Sequence, residues 1–243
     1  MKSIFFKEVN SFFSSLIGYI VIGVFLVVMG LFLWVFPNTN LIDYGYAGLD
    51  ELFITTPNIF MFLIPAITMR LLAEEQQTGT IELLATRPLT DLTIILAKYF
   101  AAVFLVIFAL VPTLIYYYSI YQLGSPVGNV DSGAFVGSFI GLILLGASFV
   151  AIGMFASSIT KNQIVAFIVG VFLCFMCFKG FDLMSNFPGF IGTIDYIIEM
   201  MGINYHYNSI SRGILDTRDI IYFLSFITLF IALTNTVLQR RKW

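Results

Sequence analysis

The sequence predicts an all-α membrane protein with six transmembrane helices. Of its 243 residues, 59% are hydrophobic and only 11% are charged, whereas about 25% of the residues in soluble domains are charged. Apolar runs long enough to cross a bilayer, which takes about 20 residues per helix, recur along the chain. These runs are too long and too continuous for the strands of a barrel, the other structure that spans membranes.

The six predicted spans follow one another with short connections. They cover residues 17–36, 52–72, 94–118, 134–157, 163–181 and 220–238. Pro57 and Pro65 lie inside the second span, and no charged residue interrupts the middle of any span. We expect one membrane domain, residues 1–243, because no connection is large enough to fold independently.

The segment before the first span predicts a helix that lies on the membrane surface. Apolar residues recur at helical spacing between Ile4 and Leu16, and Lys7, Glu8 and Asn10 lie among them. An amphipathic segment of this kind rests in the membrane interface. We therefore expect an interfacial helix at residues 1–16. The alternative is a frayed extension of the first span.

The distribution of basic residues predicts the orientation of the protein. With six spans, nine Lys and Arg residues fall on the side of both termini and three fall on the other side. Cytoplasmic loops carry the excess of Lys and Arg. Both termini are therefore expected in the cytoplasm.

The longest polar insertion on the inner side lies between the second and third spans. We predict a short helix within residues 73–91, because a glycine and a proline bound a segment of helical pattern. Ile81 and Leu84 share one face of that helix, whereas Leu83 points elsewhere. A partner protein can then contact the second face. The alternative is an ordinary connecting loop without a partner.

Two sequence stretches resemble one family of transporters. The run EEQQTGTIELLATRPLTDLTIILAKY, which begins at Glu74, resembles the first cytoplasmic loop of ABC-2 type transporter permeases, where an acidic pair, Gly-Thr, Leu-Leu, Pro and a downstream Lys recur. The stretch GILDTRDIIYFL is similar to the segment that enters the last span in that family. Within the family, the chain looks most like the gliding-motility-associated permeases (GldF). Copper-maturation and other small ABC-2 permeases share these motifs.

The resemblance covers essentially the whole chain and implies both a fold and a function. The fold is that of an ABC-2, or type V, exporter with a cytoplasmic coupling helix in the polar insertion. The chain would be the permease subunit of an ABC transporter in a bacterial inner membrane. Its work would be substrate export or mechanical work. The alternative is a non-transporting scaffold or regulator that anchors extracytoplasmic machinery.

The resemblance also implies partners. A separate cytoplasmic ATPase subunit would bind ATP and Mg and hydrolyse the nucleotide. The membrane partner would be a second permease copy or a homologous or auxiliary subunit, with membrane lipid around it. In the gliding system the partners would be the ATPase GldA and the subunit GldG. The residues expected to contact the ATPase are Glu74, Glu75, Gln76, Gln77, Thr78, Gly79, Thr80, Glu82, Leu83, Leu84, Arg87 and Pro88.

The sequence carries no motif for an activity of its own. No Lys follows a Gly, so the phosphate-binding GxxxxGK loop is absent. The single His excludes the HExxH zinc motif, and the GxSxG elbow of hydrolases is also absent. We therefore expect no catalytic residue, cofactor or metal on this chain. The net charge of −2 leaves no basic surface for nucleic acid.

Two features with possible chemistry each have a structural interpretation. Cys174 and Cys177 form a CxxC inside the fifth span, which indicates either buried thiols or a redox or metal pair. His206, in the outer segment, is either a hydrogen-bonding residue at the interface or a proton sensor.

The outer half of the molecule has two further patterns. Small residues that let helices approach closely repeat every four positions at the start of the fourth span, namely Gly133, Gly137 and Gly141. They predict helix packing, either within this bundle or against another subunit. Residues 186–218 place Ile191, Ile194, Ile198 and Met201 on one helical face. This pattern suggests a re-entrant or interfacial helical segment.

Overall fold

A computed structural model describes residues 1–37, 39–41, 48–80, 90–187, 192 and 194–240, with only the backbone of Ile17. Every element in these ranges is helical, which confirms the predicted fold class. The α-helices are α1 (Lys2–Phe13), α2 (Leu16–Trp34), α3 (Asp50–Thr68), α4 (Arg70–Gln77), α5 (Asp91–Leu110), α6 (Leu114–Leu123), α7 (Ser132–Ile159), α8 (Gln163–Phe175), α9 (Phe181–Ser185), α10 (Asp195–Met201), α11 (Ile203–Ile210) and α12 (Thr217–Arg240).

Within the described ranges, five helical stretches are long and apolar enough to cross a membrane. They are Asp50–Gln77, Asp91–Leu123, Ser132–Ile159, Gln163–Ser185 and Thr217–Arg240, and they coincide with the second to sixth predicted spans. A sixth stretch results if α1 and α2 are taken as one span, although the two helices are bent by 67°. The bend makes α1 a helix of its own. Its position on the membrane surface stays a prediction.

All five stretches run beyond their predicted ends, and the second and third spans do so by the most residues. The second span reaches Gln77 because α4 follows α3 after a break at Met69. Gly79 has a φ of +72° and directly follows the C-cap residue Thr78, the usual place for a glycine that ends a helix. The third span runs to Leu123 through a 3₁₀ turn at Val111–Thr113, where Pro112 has no backbone N–H for an α-helical bond.

Short polar side chains begin three of the spans. Thr90 Oγ1 accepts a hydrogen bond from Thr93 N at the start of α5. Asp131 and Asn162 cap α7 and α8 in the same way. These caps satisfy N–H groups that have no partner within the helix, so they fix where each span starts.

Helix α7 forms the centre of the bundle. It packs against α3, α5, α8 and α12, and 72% of its most apolar stretch is buried. The corresponding stretch of α12 is only 11% buried. The outer faces of the peripheral helices are therefore apolar and exposed, as expected for surfaces that meet lipid.

The small residues of α7 bring it close to the outer segment of the same chain. A Cβ atom at Gly137 would lie 2.6 Å from the carbonyl oxygen of Gly213, and one at Gly141 would lie 2.5 Å from Ile210 Cγ2. Gly133 instead lies beside the Asp131 cap of its own helix. The contacts of this glycine pattern that the structure describes are thus intramolecular.

The outer segment consists of two short helices that break at Gly202. Helix α10 has no buried residue, and Ile194 and Met201 are exposed. Helix α11 buries three residues, Ile203, Tyr207 and Ile210, against the bundle. The segment therefore rests on the bundle through α11, while α10 packs on α9 at the end of the fifth span. Ile191 of the predicted apolar face lies outside the described residues.

Candidate coupling site at the predicted cytoplasmic end

The break between α3 and α4 is held by one side chain of the central helix. Ser157 Oγ donates a hydrogen bond to Met69 O at 2.9 Å. It also accepts from the backbone N–H groups of Leu72 at 3.1 Å and Ala73 at 3.0 Å. A new helix start leaves such N–H groups without partners. Ser157 accepts hydrogen bonds from N–H groups at the start of α4, as an N-cap residue would, although it belongs to α7.

Further contacts press α4 and the end of α3 against α7. Gln76 Nε2 donates to Ser158 O at 3.2 Å. Next to them, a Cβ atom at Gly153 would overlap Thr68 Oγ1, so α3 and α7 touch at this level. The segment 70–80, here called the coupling segment, is therefore attached firmly to the central helix.

A buried ion-pair network joins the coupling segment to α1 and α5. Lys98, on α5, is 1% exposed, and its Nζ lies 2.8 Å from Glu8 Oε1 and 3.0 Å from Glu75 Oε1. Lys7, which is 61% exposed, lies 3.1 Å from the same Glu75 oxygen. The network contains two positive and two negative charges. One carboxylate comes from α1 and the other from α4.

The network is sensitive to the loss of any one buried member. Removing one partner of a buried pair costs about 3–5 kcal/mol, because the other charge stays uncompensated. Glu75 Oε2 is also buried, and no residue in the described part of the chain forms a hydrogen bond with it. Partial burial opposes the charge on Lys7, but its hydrogen bond to Glu75 and the carboxylates of Glu75, Glu8 and Glu74 together raise the pKa of Lys7 above its usual value.

Arg70 connects the start of α4 with the end of α1. Its Nη1 lies 3.3 Å from Ser15 Oγ, and its guanidinium group lies 5.3 Å from the centre of the Phe12 ring. In the described part of the chain it forms no ion pair with Glu74, a pair that its i, i+4 spacing permits. The cation therefore supports the position of α1.

At the opposite end of α3, Tyr207 satisfies a carbonyl group that a proline has released. Pro57 has no N–H, so the carbonyl of Phe53, four residues earlier, lacks its helical donor. Tyr207 Oη donates to that oxygen at 2.7 Å. Burial raises the pKa of the Tyr207 phenol, which keeps the hydroxyl protonated as a donor. This bond attaches α11 to α3.

The sequence of the chain matches the model of a known protein family. Residues 3–243 match the family model described as ABC-2 family transporter protein. The chain belongs to the ABC-2 family. None of the curated proteins matches it significantly.

Membership of the ABC-2 family defines the general role of the chain. It is a multi-pass membrane protein and a permease subunit of an ABC transporter, a class that works with an ATPase subunit. No group of three or more His, Cys, Asp or Glu residues is placed to hold a metal ion within the described ranges. Cys174 is buried as a free thiol.

The structure divides the residues that were expected to contact the ATPase. Glu74, Gln77, Thr78, Gly79 and Thr80 are exposed on this ABC-2 chain. Glu75 and Gln76 are buried and form contacts inside the chain, because α4 is amphipathic and turns them toward α5 and α7. Their contact with the ATPase stays a prediction. The remaining expected contacts lie outside the described residues and stay predictions: Glu82, Leu83, Leu84, Arg87 and Pro88.

Sequence patterns did not reveal the residues that hold this site. Ser157 and Leu72 are separated by 85 positions, and Lys98 and Glu8 by 90. A serine in an apolar span and a lysine near a helix start are common in membrane proteins. The break near Met69, which needs donors and acceptors from elsewhere, is visible only in the structure. In the sequence, Glu75 and Lys98 are known only as members of the acidic pair and as the downstream Lys of the run that begins at Glu74.

His206 forms hydrogen bonds in the outer segment. Its Nδ1 lies 2.7 Å from Asp219 Oδ1 and its Nε2 lies 3.0 Å from Met200 O. The ring stacks on Tyr222 with 3.8 Å between ring centres. Both nitrogens thus face acceptors, and the residue ties α10, α11 and α12 together. This geometry matches the hydrogen-bonding interpretation of His206.

Proposed function

We propose that this ABC-2 permease couples ATP hydrolysis by a separate ATPase subunit to substrate export or mechanical work across the bacterial inner membrane. In this proposal both termini and the coupling segment are cytoplasmic. The chain itself has no ATPase site and carries no cofactor, while ATP and Mg bind to the partner. The observation that supports the proposal best is the attachment of the coupling segment to α7 by Ser157.

The geometry supports transmission of a displacement. The exposed residues Gln77 to Thr80 lie at the C-terminal end of a helical stretch, Asp50–Gln77, that is 28 residues long. Ser157 bridges its one break, so α3, α4 and α7 are connected at the level of that break. Tyr207 connects the other end of α3 with the outer segment. A force on the exposed turn would reach the far end of the bundle along α3.

The experiment that tests this function uses the intact complex from native membranes, reconstituted in proteoliposomes. ATP hydrolysis should depend on the permease as well as on the ATPase subunit. A complex that contains the Ser157→Ala permease should assemble, but ATP hydrolysis by its ATPase subunit should depend less on the membrane subunit. Unchanged hydrolysis after removal of the permease would contradict coupling.

A more specific proposal is that the complex serves gliding motility, with an ATPase of the GldA type and an auxiliary subunit of the GldG type. The support is the likeness of the compact chain and of its closing residues Gln239-Arg240-Arg241-Lys242-Trp243 to gliding-motility permeases. Deletion of the gene should abolish the spreading of colonies on soft agar, and a plasmid copy should restore it. Normal spreading of the deletion strain would contradict this assignment.

An ATPase subunit that cannot hydrolyse ATP distinguishes the scaffold alternative from a permease that performs coupled work. A scaffold needs the complex but not ATP turnover, so the cellular process would persist with that subunit. A coupled permease needs turnover, so the process would stop although the complex still assembles. We expect the second result.

A further inference from the structure

This inference rests on the proposed function. We propose that Lys98 is the positioning residue that makes the N-terminal helix α1 move together with the coupling segment. The proposal concerns neither the ATPase contact nor the substrate path. It assigns a role to the one buried lysine among the described residues.

Lys98 lies where three helices meet. It belongs to α5, and its ammonium group contacts Glu8 of α1 and Glu75 of α4, each within 3.0 Å. Helix α1 also packs on α5 through an apolar cluster of Ile4, Ile94 and Ala97. The coupling segment has its own attachment, to Ser157 of α7. The ammonium group therefore adds a buried link between α1 and the coupling segment, which otherwise meet through the exposed Lys7 and through Arg70 beside Phe12.

The burial of Lys98 makes this connection obligatory. A charge with 1% exposure cannot exchange its carboxylates for water without a large cost. If α4 is displaced, Glu75 must keep its contact with Lys98 or leave a buried charge uncompensated. Because the same ammonium group is paired with Glu8, α1 moves together with α4. Lys7 does not impose this constraint, since its exposed ammonium group can replace Glu75 by water.

Distances between spin labels test the inference in the intact transporter in nanodiscs. Labels are placed in pairs at Ser11 on α1, Gln77 on the coupling segment and Gln239 at the end of α12, all exposed. Cys174 and Cys177 are replaced by alanine beforehand. Each pair is measured without nucleotide and with ATP and vanadate. The Gln77–Gln239 pair reports the displacement of the coupling segment, and the Ser11–Gln239 pair reports whether α1 follows.

In the otherwise unmodified protein, both distances to Gln239 should shift in the same direction while the Ser11–Gln77 distance stays constant. The test variant combines Lys98→Met with Glu8→Gln and Glu75→Gln, so that no buried charge is left unpaired. In this variant the Gln77 shift should remain and the Ser11 shift should fall below half of its original size. Lys98→Arg and the control Lys7→Met should both keep the joint movement.

Two results separate this inference from the proposed function. If the Gln77–Gln239 distance does not change with nucleotide, the proposed coupling through this segment fails. If that distance changes but α1 stays still in the unmodified protein, or follows equally well in the charge-free variant, the role of Lys98 is overturned. Equal thermal unfolding temperatures of the variant and the parent protein would show that the fold itself is intact.

Discussion

At the scale of single residues, the decisive side chains are those that satisfy backbone groups released where a helix breaks or contains a proline. Ser157 serves three backbone groups at the junction of α3 and α4. Tyr207 serves the Phe53 carbonyl that Pro57 leaves without a donor. Lipid offers no replacement for such partners. These two hydroxyl groups therefore hold both ends of α3.

Replacing Ser157 by alanine should lower the thermal stability of the purified permease. The Leu72 and Ala73 N–H groups would lose their shared acceptor, and each buried unsatisfied group costs about 1–3 kcal/mol. Thermal unfolding in nanodiscs measures the effect. Ser148→Ala is the matched control, because the Ser148 hydroxyl is buried on the same helix but bonds only Leu144 O of its own helix in the structure. Equal unfolding temperatures for both variants would refute the bridging role.

Replacing Tyr207 by phenylalanine should loosen the outer segment. The ring and its packing remain, but the Phe53 carbonyl loses its donor, at a cost of about 1–3 kcal/mol. Hydrogen exchange measured by mass spectrometry should rise in α11. Tyr205→Phe serves as the control, because the Tyr205 hydroxyl contacts Tyr196 at the surface. Protection of α11 that is unchanged in Tyr207→Phe would show that the bond is unimportant.

At the scale of elements, helix α7 is the structure against which the others are positioned. Its glycines face α3 and the outer segment, and its end carries Ser157. Hydropathy predicted each of the five spans between the start of α3 and the end of α12, because apolar length is a property of the sequence alone. The break at Met69 and the two-part outer segment were not predicted, since both depend on contacts between distant residues. The burial of Glu75 could be read from helical periodicity only once α4 was known to continue to Gln77.

The close approach of α7 to the turn after α11 is tested by Gly137→Ala. The added Cβ atom would meet the Gly213 carbonyl oxygen at 2.6 Å, and backbone atoms cannot move aside cheaply, so we expect a loss of about 1–3 kcal/mol. Gly23→Ala on α2 is the control, because among the described residues no atom outside the adjacent part of its own helix lies within 4 Å of its Cβ position. Alanine favours a helix over glycine by about 1 kcal/mol. A stability of Gly137→Ala equal to that of Gly23→Ala would contradict the close packing.

The contact with the ATPase is tested by Leu83→Asp. Leu83 was assigned from sequence as an apolar side chain for the partner, and burying such a residue contributes about 1.5–3 kcal/mol. The variant should bind the ATPase more than tenfold more weakly while its membrane insertion is unchanged. Leu215→Asp, an exposed leucine in the predicted outer part, should bind normally. Copurification of Leu83→Asp at the parent yield would move the contact to another surface.

At the scale of the whole molecule, the protein has a polar, charged end and an outer end, and α3 runs from one end to the other. The charged end carries Glu8, Glu75 and Lys98 in one network, and the outer end carries the His206–Asp219 pair. The apolar helical bundle built around α7 separates these two ends. The exposed turn after α4 and the excess of basic residues predicted at that end support the proposed contact with an ATPase subunit at this end.

The most direct test of this account is photocrosslinking in the intact complex. A photoreactive phenylalanine derivative replaces Gln77 in one permease and Asn129 in another, since both positions are exposed on opposite predicted sides of the membrane. We expect an adduct with the ATPase subunit from position 77 and none from position 129. An ATPase adduct from position 129, or its absence from position 77 in a complex that hydrolyses ATP, would contradict coupling through this segment.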